Sequence, residues 1–221
     1  MKNLILSLTG LLFFAFNAKA INILASKGLI PITVTMNDGQ IKKGSVKSKF
    51  DPEKKITLIY DDGSDETLAS EDVKAFTLST SEGELNYENV FYYKNNRKVI
   101  ADKPMFMRAM MSNPQIPLKM YYQVPWKTAI GPDAAASMYN TTNYYAQRDG
   151  EPAATLLSSV MMGQVNPNAV FRSYAPEYFS DYPELAKKIE NKTYTYNEIM
   201  LAAIEYVKWK VSEENFKENK K

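Results

Sequence analysis

Two segments of this chain repeat one design: ITVTMNDGQ at 32–40 and ITLIYDDGS at 56–64. Each alternates apolar residues at every second position, Ile32, Val34 and Met36 in the first and Ile56, Leu58 and Tyr60 in the second. Each then reaches Asp-Gly. Alternation gives a strand one wet and one buried face, and glycine accepts the positive φ that a tight turn between twisted strands requires. The pattern predicts two hairpins whose returning strands are QIKKGSVKS and SDETLA, linked by the polar loop FDPEKK at Phe50 to Lys55. A fifth strand, DVKAFTLS, turns Val73, Phe76 and Leu78 inward. Five short strands in about fifty residues cannot bury a flat sheet alone, so they are expected to curl into a small barrel over 28–80.

From Glu84 to about Met162 the reading is again rich in strands. ENVFYYKNN and RKVIAD form one expected hairpin, and PMFMRAMM and QIPLKMYYQV another around Ser112-Asn113-Pro114. In the last segment Ile116, Leu118, Met120, Tyr122 and Val124 share a face opposite Gln115, Lys119, Tyr121 and Gln123, which predicts a core on one side only. A third Asp-Gly turn, at Arg148 to Glu151, joins NYYAQ to PAATLLSS, and Pro152 pushes the returning strand toward a sheet edge. PWKTAIGPDAAASMYN reads as a loop or as a short helix at Asp133 to Tyr139.

After Asn166-Pro167 the spacing turns helical, with Val170, Tyr174 and Tyr178 four apart and Pro176 disturbing the middle. Asp181-Tyr-Pro-Glu184 and Thr195-Tyr-Asn-Glu198 read as capping boxes opening two further helices. Met200, Ile204, Val207 and Val211 give the last helix its expected buried stripe, and the polar tail SEENFKENKK is expected to fray. The fold class is α+β: a small barrel, then an antiparallel sheet with C-terminal helices over 84–221.

The N-terminus has its own pattern. Lys2, an apolar run from Leu4 to Phe16 and the small-x-small triplet Ala18-Lys19-Ala20 are laid out as a secretory signal peptide over 1–20. The run is about thirteen residues, short of the ~20 that span a bilayer, and no later segment is apolar for long enough; no integral span is expected after cleavage. Cleavage removes Lys2 and Lys19 and no acid, so 27 basic residues become 25 against 25 acidic ones. A neutral exported chain is a poor match to nucleic acid, whose binding draws on a positive stripe.

The chain has no cysteine and no histidine. Disulfides, histidine-based catalytic triads and ordinary zinc sites are therefore excluded. Carboxylate chemistry or a lysine-assisted serine remains for an enzyme, and neither has a signature here.

Asp-Gly-x4-Gly-x-Val at 38–46, Ile-Thr-Leu-x-x-Asp-Asp-Gly at 56–63 and Glu-Asp-Val-Lys-x-Phe at 71–76 resemble SH3-like small β-barrels. The whole chain, with YFSDYPELAKKIENKTYTYNEI at Tyr178 to Ile199, resembles a group of exported proteins of Bacteroidota. That resemblance implies a compartment, the periplasm, outer membrane or exterior, and no reaction.

Four candidate sites follow from residue type. YDDGSDETLASED at Tyr60 to Asp72 is acidic enough for calcium, but with Gly63 at the sixth EF-hand position, Leu58, Tyr60 and Ala69 occupy ligand places. Its acids read first as solvated turn residues, with a looser calcium site of Asp61, Asp62 and Asp65 as the lesser alternative. They make a poor glycosidase pair, because adjacent acids on a hairpin point apart. Met105, Met107, Met110 and Met111 suit Cu(I) by their thioethers, but alternation sets Met105, Met107 and Met111 on one face as core filler. The three Tyr-Tyr pairs at 92–93, 121–122 and 144–145 each place one ring on each strand face. An aromatic platform of Tyr92, Tyr93, Tyr121, Tyr144 and Tyr145 is therefore expected to receive a glycan or a protein.

The function these readings favour is binding or scaffolding in the cell envelope, without catalysis, cofactor or metal. Its partner would be an envelope protein or a glycan. The alternative is a carboxylate-dependent glycan hydrolase.

Overall fold

The computed structural model describes residues 28–94, 99–113, 115–124, 141–161 and 166–218. The expected signal peptide at 1–20 and the ambiguous segment at 133–139 lie outside the described residues. The strands are β1 (Leu29–Met36), β2 (Ile41–Lys47), β3 (Lys55–Ile59), β4 (Asp65–Ala69), β5 (Val73–Thr80) and β6 (Gly83–Val90), then β7 (Tyr93–Lys94), β8 (Val99–Ile100), β9 (Met105–Met111), β10 (Leu118–Gln123), β11 (Thr141–Arg148) and β12 (Thr155–Met161). The helices are α1 (Ala169–Tyr178), α2 (Pro183–Glu190) and α3 (Ile199–Glu218). Ten strands form one antiparallel sheet in the order β12-β11-β10-β9-β6-β5-β1-β2-β3-β4. The fold is α+β, mostly antiparallel sheet with C-terminal helices.

The repeated hairpins are built alike down to single hydrogen bonds. Met36 N donates to Gln40 O at 2.8 Å and Gly39 N to Met36 O at 3.0 Å; Tyr60 N donates to Ser64 O at 2.9 Å and Gly63 N to Tyr60 O at 3.0 Å. Gly39 and Gly63 hold φ of 87° and 84°, the left-handed conformation that closes a type I turn with a bulge. In each turn the aspartate accepts a backbone N–H two residues on, Asp38 Oδ1 from Gln40 at 2.9 Å and Asp62 Oδ1 from Ser64 at 2.8 Å.

β1 sits between β2 and β5. Ile32, Val34, Val46, Ile56, Leu58, Val73 and Phe76 close over one core, joined by Phe106 from β9. β5 then passes through the turn at Thr80–Gly83 into β6, so these strands open into the larger sheet. At the crossing of β2 and β3, a Cβ on Gly44 would stand 2.9 Å from the carbonyl oxygen of Ile59; only glycine lets the two backbones approach so closely.

The second core lies between the sheet and the helices. Leu118 and Met120 of β10, Ala146 of β11 and Leu157 of β12 meet Phe171, Phe179, Leu185, Ile189 and Tyr206. Arg148, at the end of β11, fastens the helices to the sheet. Its guanidinium donates to Tyr206 Oη at 2.8 Å, to Asp181 Oδ1 at 2.9 Å and to the Tyr178 carbonyl. Tyr178 Oη donates to Glu151 Oε2 at 2.9 Å, and the Arg148 guanidinium lies over the Tyr178 ring at 4.2 Å.

Several expectations are corrected here. The expected hairpin of ENVFYYKNN and RKVIAD forms in part, where Tyr93–Lys94 pairs with Val99–Ile100; Glu88–Val90 belongs instead to β6, between β5 and β9. β10 is covered on both faces, since Tyr121 and Gln123 are buried as well as Leu118 and Met120; the sheet's own side chains cover the second side. An irregularity in the β9–β10 ladder pairs Met111 with Met120 and Ala109 with Tyr121. The extra residue turns Met111 to the helix face, away from Met107.

α3 buries Ile199, Ala202, Ala203 and Tyr206, leaving Ile204 and Val211 exposed. Met200 and Val207 of the expected stripe do pack, half-buried, against the same core, so the buried face is turned from the expected one and only partly coincides with it. The helix also runs on to Glu218, past the point where fraying was expected. The box at Thr195 and Glu198 forms as expected. The box at Asp181 does not: Tyr182 is the N-cap, and the Asp181 carboxylate bonds Arg148 and Tyr206 instead. Pro152 does precede an edge strand, β12. Among the described residues no helix is long and apolar enough to cross a membrane.

Candidate functional site

The paired tyrosines fall on two faces. Tyr121 stands opposite Tyr145, and Tyr122 opposite Tyr144, in the β10–β11 ladder. Tyr122 and Tyr144 meet edge to face at 5.5 Å, with Tyr144 against the helix-side core. Tyr121 and Tyr145 take the other face with Val90, Met107 and Ala154, and Tyr92 meets Tyr145 at 6.0 Å. Tyr121 and Tyr145 are 1% and 6% exposed, so neither presents a ring to a partner. Tyr92 and Tyr93 are half-buried. The structure thus gathers Tyr92, Tyr121 and Tyr145, but as core, and sends Tyr144 to the opposite side.

What Tyr121 does present is its hydroxyl. Tyr121 and Lys119 of β10, Gln147 of β11 and Glu88 of β6 border a cleft of about 730 Å³ on the face away from the helices. Cross-strand pairing sets Gln147 directly beside Lys119. The Glu88 carboxylate accepts from Tyr121 Oη at 2.8 Å, from Lys119 Nζ at 3.4 Å and from Ser112 Oγ. Burial by itself would raise the Glu88 carboxyl, but the hydroxyls of Ser112 and Tyr121 and the Lys119 charge together hold it below the ordinary range. Burial, and then the Glu88 charge, push the Tyr121 phenol well above its usual value, so it stays a donor.

This chemistry has clear limits. Ser112, Glu88 and Lys119 are the residue types of an assisted nucleophile, but a carboxylate stabilised in its ionised form by three donors is a weak base for a hydroxyl. The cleft instead offers fixed polar groups in a stable charge state, beside Phe91, which is 43% exposed, and Asp149 at the β11–β12 turn.

The acidic stretch at Tyr60–Asp72 lies elsewhere and is occupied with its own turn. Asp62 Oδ1 accepts from Ser64 N and from Ser64 Oγ at 2.6 Å, and these bonds lower its carboxyl. Glu66 pairs with Lys42 and accepts from Tyr60 Oη. Among the described residues no three Asp or Glu side chains gather as a metal site.

Sequence reasoning passed over Glu88, Ser112, Lys119 and Gln147. The available signal was a carboxylate, Glu88, in phase with Val90 on an inner strand, where an acid needs a partner to be tolerated. Fold and cleft together define a large antiparallel sheet backed by helices over β10–β12, with a cleft on its other face. No family model, curated protein or solved structure matches the chain.

Proposed function

We propose that this chain is an exported, non-enzymatic binding or scaffolding protein of the bacterial cell envelope, with the Glu88 cleft as its binding surface. The observation that carries the reading concerns charge. The Glu88 carboxylate of the cleft accepts from Tyr121, Lys119 and Ser112 together, and these donors hold it ionised. A carboxylate-dependent hydrolase needs an acid raised enough to hold its proton near neutrality, and this arrangement favours fixed recognition over proton transfer. The signal-peptide pattern at 1–20 and the resemblance to exported proteins of Bacteroidota support the envelope, with release to the exterior as one form of export.

The same proposal includes an SH3-like small barrel over residues 28–80. Its supports are the order β4-β3-β2-β1-β5, the 3-10 turn at Ser70–Asp72 between β4 and β5, and the core around Val34 and Phe76.

The test is to express the full chain with a C-terminal tag, fractionate the cells and capture what the processed protein holds. The expected result is a product starting at Ile21 in the envelope or the medium, with an envelope protein or glycan bound. An unprocessed cytoplasmic protein overturns export; turnover of a glycan by the purified protein overturns the non-enzymatic reading.

A further inference from the structure

Resting on the binding role proposed above, we propose that the Glu88 cleft is a saccharide site, recognising a neutral oligosaccharide through Gln147, Asp149 and Lys119, with Phe91 as the apolar wall. Three observations lead there.

The first is the floor. Glu88, Tyr121 and Gln147 sit on β6, β10 and β11, all interior strands of the ten-stranded sheet. Their backbone groups are taken by neighbouring strands, so an extended peptide finds no ladder to join. Recognition in this cleft must pass through side chains.

Charge is the second. The Glu88 carboxylate and Lys119 ammonium already form an ion pair. The central charges therefore cancel, and a strongly ionic ligand would have to break that pair. A ligand of many hydroxyls needs no such exchange, because each hydroxyl both donates and accepts.

The third is the supply of hydrogen-bonding groups beside an apolar surface. Gln147 Nε2 donates to the Glu151 carbonyl at 2.8 Å, which leaves its amide oxygen as an acceptor. Lys119 gives one N–H to Glu88 and has capacity for two more. Asp149 is exposed at the rim and offers a planar pair of acceptors, which matches two adjacent hydroxyls. Phe91 supplies the exposed ring on which the C–H face of a sugar can lie. At about 730 Å³ the cleft lies within the ~300–1,000 Å³ of small-molecule sites and can seat a short oligosaccharide.

The test is calorimetric titration of the processed full-length protein with maltopentaose, cellopentaose and chitotetraose, and with tetra-alanine as the peptide probe. At least one saccharide is expected to bind one-to-one with Kd below about 1 mM, and tetra-alanine is not. Phe91→Ala and Asp149→Asn should each weaken that binding about tenfold or more. Leu201→Ala, on the helix side of the sheet, should leave it unchanged. Asp149 is on the surface, so its variant separates lost recognition from lost folding. The inference is overturned if no saccharide binds below about 1 mM, if both cleft variants bind like the parent, or if tetra-alanine binds in preference. None of those outcomes touches export or capture of an envelope partner, so the wider binding role is judged separately.

Discussion

Arg148 Nε donates to Tyr206 Oη across 2.8 Å, and this one bond ties the end of β11 to the middle of α3. Tyr206 passes the interaction on, donating to Asp181 Oδ2 at 2.7 Å. The sheet, the α1–α2 connection and the last helix therefore meet at one guanidinium. Tyr206→Phe leaves the Asp181 carboxylate and Arg148 Nε each short of a partner and is expected to cost about 1–3 kcal/mol. Arg148→Ala should cost more, about 2–4 kcal/mol, because Glu151 loses its counter-charge, Asp181 keeps only Lys210, and the Tyr178 carbonyl and Tyr206 hydroxyl lose a donor. Urea unfolding of both variants and the double variant checks this; strictly additive losses would show that the two residues act independently.

Gly44 lies where β2 passes against β3, and an added methyl would meet the Ile59 carbonyl oxygen at 2.9 Å. That obstacle is backbone and cannot rotate away. Gly44→Ala is expected to destabilise by about 1–3 kcal/mol, despite alanine's lower entropy cost. A thermal melt at or above that of the parent would contradict it.

Lys192 has φ of 65°, the only non-glycine with positive φ among the described residues. It follows the C-cap of α2, where Lys192 N donates to Ile189 O at 3.1 Å and Thr193 N to Lys188 O at 2.8 Å. Such a terminus favours glycine, which carries no Cβ penalty there. Lys192→Gly should raise stability by about 0.5–1 kcal/mol, and a melting temperature lower than the parent's would sink the prediction.

Glu88 links the cleft to pH. Its folded carboxyl is held below the ordinary glutamate value of 4.5, so the unfolded chain binds its proton first as pH falls. The resulting stability is fully present above 4.5 and is lost as pH drops through the folded value. Glu88→Gln should therefore cost about 1–2 kcal/mol at neutral pH and progressively less below pH ~4. Chemical denaturation of parent and variant across that range reads the difference. A gap that stays constant down to pH ~3 would show that the charge of Glu88 contributes nothing.

The local elements were legible to different degrees. The hairpins at 36–40 and 60–64 were written in adjacent residues, and their hydrogen bonds repeat position by position because Asn-Asp-Gly and Asp-Asp-Gly impose one backbone path. The capping box at Thr195 and Glu198 is equally local, and it forms. The box at Asp181 has the same spelling and fails, because Arg148 and Tyr206 compete for the carboxylate.

By itself the sequence determined the Asp-Gly turns, the repeated hairpins and the change from strand to helix after Asn166-Pro167. Those choices depend on φ preferences and on hydrophobic alternation within a few residues. It also excluded histidine and cysteine chemistry outright. The tertiary structure decided which faces are buried and which polar groups meet. β10 is apolar by alternation on one face, yet Tyr121 is buried on the other because Val90, Met107 and Tyr145 arrive from distant strands. α3 turns Ala202, Ala203 and Tyr206 inward with Met200 and Val207 beside them, and leaves Ile204 and Val211 outside. The cleft is the clearest case: Glu88, Ser112, Lys119 and Tyr121 are spread along the chain, and only the pairing of β6, β9 and β10 brings their polar atoms together. Alternation fixes which side of a strand a residue takes, but the partner it meets there is fixed by strand order, and that is set by burial over the whole sheet.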